Sequence, residues 1–198
     1  MTQWVYAFNE GKKEMKQLLG GKGANLSEMT NLGIPVPFGF TVTTESCAKY
    51  TELQGKYPEG LWEEVKKNVS LIEEKMGMIF GDPANPLLVS VRSGAAVSMP
   101  GMMDTILNLG LNDVVVEGLA KKTGNDRFAW DAYRRFIQMF GNVVMGISGS
   151  KFEDALETVK QTKGVEFDTE LDATDLENVV KSFKDVVKSQ AGKSFPDD

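Results

Sequence analysis

Apolar and polar positions follow two rhythms along this chain: short extended beats over roughly the first half, then helical spacing. Trp4 to Phe8 alternates in the manner of an opening strand. Ala24 to Leu32 reads as a helix that starts after a cluster of glycines and stops at Gly33. Ile34 to Phe40 carries Pro35 and Pro37, which push their predecessors out of the helical region, so this stretch is an extended connector. Thr41 to Thr43 can continue as a strand, and Thr43 to Tyr50 opens a helix. A longer helix is expected from Gly60 to Met76, with Leu61, Val65, Val69, Ile72 and Met76 on one face. Gly81 to Pro86 is a turn cluster, and the nearly continuous apolar run Leu87 to Val91 predicts a strand buried on both faces.

From about residue 112 the pattern becomes that of amphipathic helices. Ala129, Ala132, Tyr133, Phe136, Ile137 and Phe140 make one stripe, with Arg134 and Arg135 on its polar side; Phe152, Ala155, Leu156 and Val159 make a second. Leu176, Val179, Val180, Phe183, Val186 and Val187 make a third, opened by a Thr174–Glu177 capping box. Gly192 to Asp198 reads as a frayed tail or linker, and the Phe and Trp side chains read as core. The fold class is therefore α+β: a mixed α/β lobe over 1–111, then a mainly helical lobe over 112–198.

Composition narrows this picture. Hydrophobic residues make up 41% and charged residues 25% of the 198, the balance of a globular chain that can bury a core. No apolar run approaches the roughly 20 residues of a membrane span, and no secretory signal is visible. A net charge of −6 argues against a nucleic-acid surface. The single cysteine, Cys47, fits a reducing compartment such as the cytoplasm and reads as a small buried apolar side chain. The chain has no histidine, hence no phosphohistidine and no imidazole base of its own.

Two places could carry chemistry. Gly20-Gly21-Lys22-Gly23 before a helix is a candidate phosphate cradle: glycines let backbone amides approach an anion, and Lys22 adds a full charge. It is not a Walker loop, because Lys16 stands where that motif has glycine and Gly23 where it has Ser or Thr. Its plain alternative is a flexible turn with a solvated lysine. Arg92, at the end of an apolar run, offers a guanidinium fork suited to phosphate; a structural bridge to a carboxylate is the alternative. The loop behind it, Ser93 to Thr105, is rich in Gly, Ser and Met, with Met99, Met102 and Met103 as adaptable contacts for a flat ring. Arg134 and Arg135 read as a solvated face or a docking contact, and no acidic spacing typical of a metal site is seen.

The runs Leu18-Leu-Gly-Gly-Lys-Gly-Ala-Asn-Leu26, Ile34-Pro-Val-Pro-Phe-Gly-Phe-Thr-Val-Thr-Thr-Glu45 and Ser90-Val-Arg-Ser-Gly-Ala-Ala-Val-Ser-Met-Pro-Gly-Met-Met-Asp-Thr105 resemble the N-terminal part of the pyruvate, phosphate dikinase family. The likeness continues through Arg127 to Phe140 and Gly164 to Leu171, so it covers essentially the whole chain. It implies the first part of an ATP-grasp-like nucleotide-binding domain whose parent enzyme interconverts ATP, phosphate and pyruvate with AMP, pyrophosphate and phosphoenolpyruvate. By the same resemblance Lys22 and Arg92 fall on nucleotide-phosphate contacts, Arg92 in a catalytic role, with Gly101, Met103 and Thr105 beside the nucleotide. Magnesium would arrive with ATP, most of its ligands lying outside this segment. The phosphohistidine and pyruvate sites would lie on other domains of a homo-oligomeric cytoplasmic parent, leaving the isolated segment inactive. Apolar positions facing the absent part of the domain would then be exposed. A phosphoenolpyruvate synthase segment and a stand-alone, non-catalytic binding module are the alternatives.

Overall fold

Alternation at the N-terminus produces β1 (Val5–Ala7), which pairs antiparallel with β2 (Phe40–Val42) in the register Val5–Val42, Tyr6–Thr41, Ala7–Phe40. The ladder is prolonged at both ends, Thr43 N–H donating to the Trp4 carbonyl at 2.9 Å and Phe8 N–H to that of Gly39 at 3.0 Å. The structure, a computed structural model, describes residues 2–94 and 104–196. The chain divides into two compact units, Met1–Gly77 with Arg92–Asp104 and Met78–Val91 with Thr105–Asp198.

In the first unit, α1 (Lys16–Asn31) begins well before the glycines, so the expected start at Ala24 is corrected. Leu19, Gly23, Ala24 and Ser27 form its buried face. A Cβ on Gly23 would stand 2.7 Å from Thr41 of β2, so the absence of a side chain lets the helix lie flush on the strand. α2 (Thr44–Glu52) is capped by Thr43, whose side-chain oxygen accepts from Ser46 N–H at 3.2 Å. Ser46 takes the inward position, and Cys47, one residue and about 100° further round the helix, is exposed rather than buried. α3 (Leu61–Met76) keeps its expected bounds, although only Leu61 is fully buried. It is fastened by Glu64, one carboxylate oxygen of which accepts from Trp4 N–H and Val5 N–H, both at 2.8 Å. Phe38 and Trp62 are more than half exposed, contrary to the expectation that the Phe and Trp side chains are core.

In the second unit, β3 (Ile79–Phe80) pairs parallel with β4 (Pro86–Leu87), and β5 (Val89–Arg92) lies beside β6 (Thr105–Leu109). The apolar run Leu87 to Val91 is thus split between two small sheets. Val91 is 47% exposed, so the strand is not covered on both faces. Four helices follow: α4 (Asp113–Thr123), α5 (Asp126–Val143), α6 (Gly149–Lys163) and α7 (Ala173–Ala191). The three apolar stripes meet in one core, centred on Tyr133, Ile137, Phe152, Leu176 and Phe183. Gly141 admits the Phe152 ring, which would lie 2.5 Å from a Cβ at that position. With helices predominating over three two-stranded sheets among the described residues, the content is α+β.

Three local readings change. Arg134 is buried, not solvated: its Nε meets Asp131 and its Nη2 meets Asp168, each at 2.9 Å, while exposed Arg135 pairs with the other Asp131 oxygen. Arg127 adds hydrogen bonds to the Leu171 and Asp168 carbonyls, both 2.8 Å, so the segment before α7 is strapped to α5 by two guanidinium groups. The capping box of α7 is Asp172 with Asp175, not Thr174 with Glu177. The tail is anchored: Phe195 is 4% exposed and meets the Phe136 and Phe140 rings edge-on.

Two outcomes follow from this packing. Phe195→Ala should cost the second unit about 3 kcal/mol, visible as a lower urea midpoint. The Lys163 ammonium beside Asp172, helped by the Asp175 backbone, holds the Asp172 carboxyl down at about 2 from its ordinary 3.8. The unfolded chain therefore binds that proton more tightly, and stability should fall as pH drops from about 4 towards 2. Asp172→Asn should flatten that acid limb in melts taken across the same range.

Candidate functional site

Gly20 decides the local geometry. Its φ of 69° and ψ of 169° interrupt α1 in a backbone region that essentially only glycine enters. The helix restarts immediately, so Gly21, Lys22 and Gly23 occupy its first turn rather than a loop. The cradle read from the sequence is thereby corrected in form. Gly21 and Gly23 are helical, and with Gly20 outside the helical region they form a helix N-terminus, whose amides and dipole favour an anion. Lys22 is half-buried in that turn. Exposed Lys16 lies close by, its Cε 3.7 Å from where a Gly21 Cβ would be. Lys16, which in the sequence only marks the missing Walker glycine, stands one helical turn before Gly20.

Arg92 closes β5 and is exposed, so the cost of an unpaired buried charge does not apply to it. Among the described residues no carboxylate lies within ion-pair distance of its guanidinium, which leaves the structural-bridge alternative without a partner. Just beyond it, Ser93 N–H donates to the Asp104 carbonyl at 3.0 Å, and Asp104 N–H donates to Ser93 Oγ at 2.9 Å. These bonds hold the two ends of the 93–104 segment together. Thr105 opens β6 and is half-buried.

Lys22 and Arg92 belong to the same compact unit, and Thr105 belongs to the other. Gly101 and Met103, with Met99 and Met102, lie outside the described residues. Lys22, Arg92 and the helix N-terminus are groups chemically suited to phosphate oxygens. Arg134, weighed as a docking contact, is committed to Asp131 and Asp168. No cluster of three or more Asp, Glu, Cys or His side chains among the described residues could hold a metal ion. No described helix is long and apolar enough to cross a membrane.

Residues 16–63, the segment carrying the Gly20 break and Lys22, match the family described as pyruvate phosphate dikinase, AMP/ATP-binding domain. Over 190 residues the chain is 60% identical to the chloroplastic pyruvate, phosphate dikinase of Mesembryanthemum crystallinum, covering 96% of this chain and 20% of that protein. It is 55% identical over 197 residues to the pyruvate, phosphate dikinase of Clostridium symbiosum (99% and 22%). Pyruvate, phosphate dikinase 2 of Zea mays is 58% identical over 201 residues (100% and 23%). The chain thus spans about a fifth of the length of the curated relatives it matches.

Gly20→Ala should cost the first unit about 1–3 kcal/mol, measured as a shift of its urea transition.

Proposed function

Because the chain belongs, over nearly all its length, with the N-terminal part of the pyruvate, phosphate dikinases, we propose that it supplies the ATP-side wall of such an enzyme. The reaction would convert ATP, phosphate and pyruvate to AMP, pyrophosphate and phosphoenolpyruvate. The observation that carries this reading is the 55–60% identity to those dikinases, together with the AMP/ATP-binding match over residues 16–63. The fold is then the first part of an ATP-grasp-like domain in a cytoplasmic, homo-oligomeric parent.

Chemically, the chain has one task here: to bind and orient the nucleotide phosphates. Lys22 and the first-turn amides of α1 hold phosphate oxygens. Arg92, with two parallel donors and no competing carboxylate among the described residues, faces the transferring group. Charge grows on the oxygens of that group as it leaves, and a cation already in place stabilises it more than the ground state. Gly101, Met103 and Thr105 line the nucleotide. Since the chain has no histidine, the phosphoryl group passes to an acceptor on another domain. The described side chains offer no metal cage, so the protein ligands of an ATP-bound magnesium ion would lie on other polypeptide.

Arg92→Ala in the full-length protein should lower kcat about a hundredfold with folding intact. Unchanged turnover would favour a binding module with no role in ATP chemistry. Turnover that ignores added phosphate would favour a phosphoenolpyruvate synthase.

A further inference from the structure

Two adjacent threonines at the start of α2 divide their work. Thr43 caps its own helix through Ser46 N–H. Thr44 does something else: its hydroxyl donates to the Gln17 carbonyl at 2.7 Å, reaching across to α1 three residues before Gly20. In an uninterrupted helix the Gln17 carbonyl would be filled by the Gly21 amide, four residues on. Here Gly20 stands at φ 69° and ψ 169°, which turns the following peptide out of the helical direction. The Thr44 hydroxyl thus fills the carbonyl to which an unbroken helix would direct the Gly21 amide.

The surroundings fix the same geometry. Gly20 is buried, Gly23 is seated against Thr41, and Thr41 pairs with Tyr6 in the β1–β2 ladder that leads directly into Thr43 and Thr44. The strand that sets the height of α1 thus also delivers the hydroxyl that keeps its break open. We infer that Thr44 is a positioning residue for the nucleotide site: by satisfying Gln17 it holds α1 broken at Gly20, leaving the Gly21 amide beside Lys22 free for a phosphate oxygen. This inference rests on the phosphate reading of Lys22. It adds a residue that need touch no nucleotide.

The test uses the full-length protein, with ATP as probe and three variants. Thr44→Val removes the hydroxyl and keeps the shape; Thr44→Ser restores a hydroxyl; Lys22→Met probes the phosphate reading itself. Hydrogen exchange in a peptide spanning residues 18–24 is measured without and with ATP, beside ATP affinity and thermal midpoint. Thr44→Val should slow exchange at Gly21 in the free protein, as the amide recovers the Gln17 carbonyl. It should also weaken ATP binding about fivefold, the worth of one net hydrogen bond. Thr44→Ser should return both quantities towards those of the parent protein. If Thr44→Val lowers only the thermal midpoint, with exchange and affinity unmoved, the inference about Thr44 fails while the phosphate reading stands. If Lys22→Met leaves ATP affinity unchanged, the phosphate reading fails and takes the role of Thr44 with it.

Discussion

A helix can rest directly on a strand only where a side chain is missing, and the first unit depends on that condition at Gly23. A methyl group there would press into Thr41, so α1 takes its height above β2 from a single hydrogen atom. Glycine inside a helix costs about 1 kcal/mol relative to alanine, and α1 carries three in a row of four residues. Packing outweighs that cost. Leu19, Ala24 and Ser27 are buried on the same face, and Asn31 Nδ2 donates to the Gly11 carbonyl at 2.9 Å to fasten the far end. Once α1 is held at both ends, the break at Gly20 is fixed in place.

The second unit is organised by a different device, a buried guanidinium. Arg134 sits beside Tyr133 at the margin of the α5 stripe and would be costly to bury alone. Asp131 meets it from its own helix and Asp168 from the short 3-10 turn before α7. Arg127, two turns earlier on the same face of α5, ties the carbonyls of the same segment. Leu171 and Leu176, at the positions that flank a helix start as a hydrophobic staple, are both buried in the common core. Polar strap and apolar staple therefore locate the beginning of α7 together.

What could be read from the sequence depended on how local the deciding physics is. The bounds of α3 were legible because Gly60 and Gly77 punctuate a clean stripe. The start of α1 was not: the helix begins before the glycines, breaks at Gly20 and resumes, and the distant Thr41 is what Gly23 packs against. Thr174–Glu177 and Asp172–Asp175 both fit a capping pattern, and the burial of Leu171 selects the earlier pair. Burial of Arg134 was invisible because its cover comes from residues more than thirty positions away. At the candidate site, Lys22 and Arg92 could be picked out by residue type and by family likeness. The reach of Thr44 to Gln17 across 27 positions could not, because a threonine before a helix reads simply as a cap.

The second unit is assembled from two separated stretches, and this has a consequence for the order in which it can form. Residues 78–91 are synthesised before any of α4 to α7. The turn around Pro83 finds its seat only when Gly118 arrives to accept its backbone at a distance that tolerates no side chain. Until then the apolar residues of that stretch have no core to join, because nearly all of it lies downstream. A nascent chain of this sequence thus carries an unpacked apolar stretch until the helices that cover it are made, and exposed apolar surface of that kind invites misassembly.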